Sequence, residues 1–76
     1  GIANPNSRLH LYNSAANAEM DLQSVVGAGN HWALYNNLSD NSFRIWGNND
    51  YLSILRNGNI GIGTTTPVAK LDVLER

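Results

Sequence analysis

Tyr51-Leu52-Ser53-Ile54-Leu55-Arg56-Asn57-Gly58-Asn59-Ile60-Gly61-Ile62-Gly63 is the stretch on which the fold depends. Its flanks alternate with the two-residue period of a half-buried strand. Between them, Asn57-Gly58 fits both positive-φ positions of a type I′ hairpin turn. A two-residue loop there sets Arg56 opposite Asn59, Leu55 opposite Ile60, Ile54 opposite Gly61 and Leu52 opposite Gly63. On that register Ile60 and Ile62 share one face, while Gly61 and Gly63 leave the other bare. Leu52 and Ile54 are expected to lie across the bare strip, as large side chains cover a strand glycine. The alternative is close approach of another chain's backbone.

Working outward, strand signals recur over residues 8–12, 20–26, 31–35, 42–46, 51–56, 59–63 and 69–73. Turn-forming clusters separate them at 27–30, 36–41 and 47–50. Strand and turn alternating at about ten-residue spacing predict an all-β, antiparallel meander of short strands. Helix signals are poor. The best candidate covers residues 13–23, but its internal Asn residues weaken it. It reads as a loop with a helical turn, leading into a strand.

The chain has 76 residues and no Cys. A domain of this size buries only about 60% of its unfolded surface, so an isolated core is marginal. Small domains are held together by disulfides, a metal or a partner chain. Disulfides and thiolate sites are excluded. His10 and His31 read as too few and too far apart for a ligand cluster, which leaves oligomerisation. Lys plus Arg number 5 against 6 Asp plus Glu, a net charge of -1, so no basic nucleic-acid footprint exists. Charged residues make up 14%, and 12 Asn residues supply much of the remaining polarity, as expected of an extracellular or virion protein. No apolar run approaches the roughly 20 residues of a membrane span. No signal peptide is visible and the first residue is Gly1, which reads as a piece of something longer.

The two ends match. Pro5-Asn6-Ser7-Arg8-Leu9-His10-Leu11 and Pro67-Val68-Ala69-Lys70-Leu71-Asp72-Val73 both read Pro, two variable residues, a base, Leu, any residue and an aliphatic. Gly1-Ile2 echoes Gly61-Ile62. Residues 1–76 therefore read as one repeat module of an array.

Asn57-Gly58-Asn59-Ile60-Gly61-Ile62-Gly63-Thr64-Thr65-Thr66-Pro67-Val68-Ala69-Lys70-Leu71-Asp72-Val73 resembles the recurring segment of phage tail-fibre and related bacterial fibre proteins. There it commonly reads Asn-Gly-Asn-Val-Gly-Ile-Gly-Thr-Thr-x-Pro-x-x-Lys-Leu-x-Val, often upstream of an endosialidase-type intramolecular chaperone. Ile60 replaces the common Val. Residues 30–35, 43–46 and 51–54 resemble, more loosely, the strands before that segment. The resemblance implies an intertwined homotrimeric fibre segment of a virion tail fibre or extracellular surface fibre, adjoining further fibre segments. It implies no enzyme activity: the chaperone's catalytic residues belong to a domain this chain lacks.

Candidate sites are few. Gly61-Ile62-Gly63-Thr64-Thr65 lacks the spacing and Lys of a phosphate loop, and Pro67 follows it instead of a helix. The acids Glu19, Asp21, Asp40, Asp50, Asp72 and Glu75 read mostly as turn residues rather than as a glycosidase pair. Neither His sits near a nucleophile-elbow sequence. We therefore expect no catalytic, cofactor-binding or metal-ligating residues within one chain. A lone histidine meeting its copies near a threefold axis is the one metal alternative. Trp46, Tyr35 and Trp32 are the candidates for stacking on a cell-surface glycan, Trp46 being the best surface candidate beside Arg44. Core packing or an inter-chain seam is the competing role for these rings, and Phe43 is expected in the core. Asn37-Leu38-Ser39 fits the glycosylation pattern, which has no meaning in a phage or bacterial protein.

Overall fold

The computed structural model describes Asn4, residues 6–27 and residues 30–74. These contain six strands and no helix: β1 (Ala18–Gln23), β2 (His31–Asn36), β3 (Phe43–Trp46), β4 (Asp50–Ile54), β5 (Ile60–Ile62) and β6 (Leu71–Val73). All six join in one sheet in chain order. The first five form the expected antiparallel meander, whereas β6 runs parallel to β5.

The hairpin at Asn57-Gly58 forms, but on a different register. Ile54 pairs with Ile60, Ser53 with Gly61 and Leu52 with Ile62. The Gly58 amide donates to the Leu55 carbonyl (2.9 Å), and the Leu55 amide donates to the Asn59 carbonyl (2.9 Å). Gly58 has φ 94°, while Asn57 stays at negative φ. The loop is therefore a type I turn followed by one left-handed glycine, the three-residue alternative to a type I′ turn. One residue of slip moves every side chain to the other face. Here it brings Ile60 and Ile62 onto the face that already carries Leu52 and Ile54. Side-chain sorting outweighs the local preference of Asn-Gly.

A side chain at Gly58 would meet nothing within 4 Å, so its cost is backbone strain alone. Gly58→Val should cost about 2 kcal/mol, because a left-handed conformation costs an L-residue roughly 1–2 kcal/mol and is worse for a β-branched one. Gly58→Asn should be much milder, since Asn visits this region. Chemical denaturation of the pair checks the ordering.

Between β5 and β6, residues 63–70 cross over the sheet. The Ile60 amide donates to the Lys70 carbonyl and the Leu74 amide to the Ile62 carbonyl, both at 2.9 Å. The connection passes directly over Gly61, where an added Cβ would enter the Thr64 carbonyl oxygen and lie 3.3 Å from Pro67 Cδ. The glycine strip is thus covered by the chain's own crossover, not by Leu52 and Ile54.

Two further expectations are corrected. Residues 8–12 form no strand. Leu11 and Tyr12 lie beside Ala18 and Glu19 of β1 without forming a strand, whereas residues 71–73 pair with β5. Gly1, Ile2 and Pro5, on which the expected repeat partly rests, lie outside those residues, as do Ala28 and Gly29 of one turn cluster. The helical turn near residue 14 is also absent. Asn13 Oδ1 instead accepts the amides of Ala15 (3.0 Å) and Ala16 (3.2 Å), a local bond that competes with helix.

Candidate functional site

The register sorts side chains onto two unlike faces. One cross-strand row is Met20, Leu34, Ile45, Leu52, Ile62 and Val73. The next contains Asn36, Phe43, Ile54, Ile60 and Leu71. Leu22 lies opposite Trp32 on the same side. The bulge between Ile45 and Trp46 shifts the pairing so that Asp50 faces Trp46, and the Tyr51 ring approaches Trp32 on the apolar side (centroids 6.0 Å). Among the described residues, no second layer covers this face. Met20, Leu22, Trp32, Phe43, Tyr51, Ile62, Leu71 and Val73 are all exposed. Phe43, expected in the core, is 40% exposed, and Trp32 is 53% exposed.

The opposite face is polar, yet it is the better buried. Ala33, Tyr35, Ser42 and Ser53 are the buried residues that face this way, with Gly61 beneath the crossover. Their small size lets loops approach the sheet closely. Ser53 Oγ is enclosed there with no hydrogen-bond partner. A polar network holds the strands and their turns together. Tyr35 donates its hydroxyl to Asp50 Oδ1, and Arg44 Nη1 donates to Asp50 Oδ2 (3.2 Å). Arg44 Nη2 donates to Asp40 Oδ2 (3.0 Å) and its Nε donates to Ser42 Oγ (2.9 Å). The Ser42 hydroxyl and amide both donate to Asp40 Oδ1. Burial, then the bond to Asp50, push the Tyr35 phenol above its ordinary range.

The Ser42 hydroxyl and amide, followed by Arg44, hold the Asp40 carboxyl below the ordinary aspartate range. A lowered carboxyl pKa contributes stability that is present above the unfolded value and is lost as pH falls through the folded one. Asp40→Asn should therefore lower the melting temperature at pH 7. It should also flatten the acid side of the pH–melting curve below about pH 4. Melting curves from pH 2 to 7 test both.

The glycan candidates do not converge. Tyr35 is buried with its hydroxyl engaged, and Trp46 is half-buried against the His31 ring (centroids 5.1 Å, interplanar angle 32°). Trp32 points to the other face. Trp46 is thus less open than Trp32, the reverse of the sequence expectation. The carboxylates also sit differently: Glu19, Asp21 and Asp72 lie within strands, Asp40 and Asp50 share Arg44, and Glu75 lies outside the described residues. Glu19 and Asp21 come together with His31, their ligand atoms all within 4.8 Å of one another. Pattern reading missed this grouping because the spacing from residue 19 to residue 31 hides a cross-strand diagonal. His10 is not part of that group; its ring stands edge-on to Tyr12.

No protein family, curated protein or solved structure matches the chain.

Proposed function

We propose that this chain is a non-enzymatic structural module of a trimeric virion tail fibre or extracellular surface fibre, providing shaft length and trimer registration. The observation that supports it is the uncovered apolar face. The chain exposes 5801 Å² at 8.3 kDa, whereas a compact monomer of that mass exposes about 4600 Å². The excess exceeds the roughly 800 Å² that each partner contributes to a standard interface. Exposed apolar patches of this extent mark association surfaces. A closed, symmetric assembly of identical copies covers such a face without leaving new edges of it open. Three as the copy number comes from the fibre-like segment, in which the copies intertwine. The polar network, fully engaged within the sheet, serves rigidity rather than catalysis in this reading.

Analytical ultracentrifugation of the parent chain at micromolar concentration is the direct test. A trimer is expected. A stable, cooperatively folded monomer would overturn the proposal, and a dimer would replace threefold packing by a face-to-face pair.

A further inference from the structure

We propose that Glu19, Asp21 and His31 form an intrachain binding site for a divalent first-row transition ion of the Zn²⁺ class. The β1–β2 register creates it. Glu19 stands opposite Tyr35, Asp21 opposite Ala33 and Gln23 opposite His31. Glu19, Asp21 and His31 therefore project from the same face of two neighbouring strands, with His31 diagonal to Asp21. Ala33, opposite Asp21, contributes only a methyl group, which is buried beneath the neighbouring side chains. His31 Nε2 lies 3.9 Å from Asp21 Oδ2, and all three donor atoms fall within 4.8 Å. Ligands around a tetrahedral Zn²⁺ are separated by about 3.3 Å, given metal–ligand distances near 2.0–2.2 Å. β1 is an edge strand and both of its acids are exposed, so side-chain torsions close the remaining distance.

The donor set selects the ion. One imidazole nitrogen with two carboxylate oxygens suits Zn²⁺ and its neighbours, while Mg²⁺ and Ca²⁺ take oxygen ligands. Three protein ligands leave a coordination position for water. A cavity of about 240 Å³ lined by Asn17, Glu19, His31, Ala33, Tyr35 and Trp46 adjoins the donors and admits that water. The Trp46 ring packs against the imidazole and limits its rotation. The Arg44 guanidinium is engaged by Asp40 and Asp50. The site faces away from the apolar surface, so self-association through that surface does not cover it.

Isothermal titration calorimetry of the full chain with ZnCl₂ at pH 7.5 tests the site. One Zn²⁺ per chain is expected, undisturbed by excess Mg²⁺. Loss of a residue that merely orients a ligand costs 10–100-fold in metal affinity, so loss of a ligand costs at least about tenfold. Glu19→Gln, Asp21→Asn and His31→Gln should each weaken binding by that factor, while His10→Gln should not. Circular dichroism confirms that each variant is folded. Absence of binding at about 1 mM Zn²⁺, or binding unaffected by His31→Gln in a folded chain, would overturn the proposal. One ion per three chains would do the same, since it would place the ligands on different copies.

Discussion

Ile45→Asp should abolish self-association while leaving the polar network untouched. Ile45 lies in the middle of the apolar row, between Leu34 and Leu52. It is half-buried in one chain, and packing against neighbouring copies would enclose it fully. Replacing it removes up to about 2 kcal/mol of apolar burial per copy. It also places a carboxylate in a dry seam, and several kcal/mol are lost when a charge is buried without a partner. A combined cost of at least about 3 kcal/mol per copy, or roughly 9 kcal/mol for three, lowers the association constant about a million-fold. Sedimentation velocity should show only monomer, with or without loss of strand signal in circular dichroism. Arg56→Glu, on the exposed hairpin loop, serves as the charge-changing control. If Ile45→Asp sediments and melts like the parent chain, this face is not the association surface.

The strands were legible because their residues alternate. β3, β5 and β6 lie inside the expected segments, while β1 starts two residues before residue 20, β2 runs one past residue 35 and β4 starts one before residue 51. What pattern could not supply was the relation between strands. Asn57-Gly58 satisfies two hairpin loops that differ by one residue, and only the sorting of Ile60 and Ile62 toward Leu52 and Ile54 separates them. Direction was hidden in the same way. Thr64-Thr65-Thr66-Pro67 reads as a turn, and nothing local distinguishes a turn that reverses the chain from one that carries it across the sheet. Burial was hidden for a further reason. Phe43 and Trp32 carry the composition of a core, but among the described residues no layer covers them. Short-range patterns register an apolar side chain, not what lies over it.

Candidate sites followed the same division. The aromatic residues were visible as a cluster in sequence, yet the strand pleat splits them, with Trp46 and Tyr35 on one face and Trp32 on the other. Conversely, Glu19, Asp21 and His31 were read separately, the acids as turn residues and the histidine as isolated. They meet because β1 and β2 pair antiparallel with Gln23 opposite His31. That register depends on the length of the loop between the strands, and no composition rule gives it.

Gly61→Ala should be far more damaging than Gly58→Ala, although both remove one glycine from one hairpin. At Gly58 the space is open and the constraint is φ 94°, so the penalty is confined to roughly 1–2 kcal/mol of strain. Gly61 lies in ordinary extended backbone within β5, and its constraint is steric. The new methyl would overlap the Thr64 carbonyl oxygen and crowd Thr64 Cγ2 at 3.1 Å and Pro67 Cδ at 3.3 Å. The carbonyl is main chain, so relief requires the crossover to lift. Lifting it exposes Pro67 and Ser53 and strains the bonds from Ile60 to Lys70 and from Leu74 to Ile62. Overpacking alone costs about 1–3 kcal/mol, and loss of the β5–β6 pairing adds to it. We expect a total of about 3 kcal/mol or more, a shift of more than about 10 °C in the melting temperature of a chain this short. Amide exchange distinguishes the two variants: Gly61→Ala should lose protection at Ile60 and Leu74, whereas Gly58→Ala should keep it. Equal melting temperatures for the two, with Leu74 protected in both, would show that the crossover does not rest on Gly61.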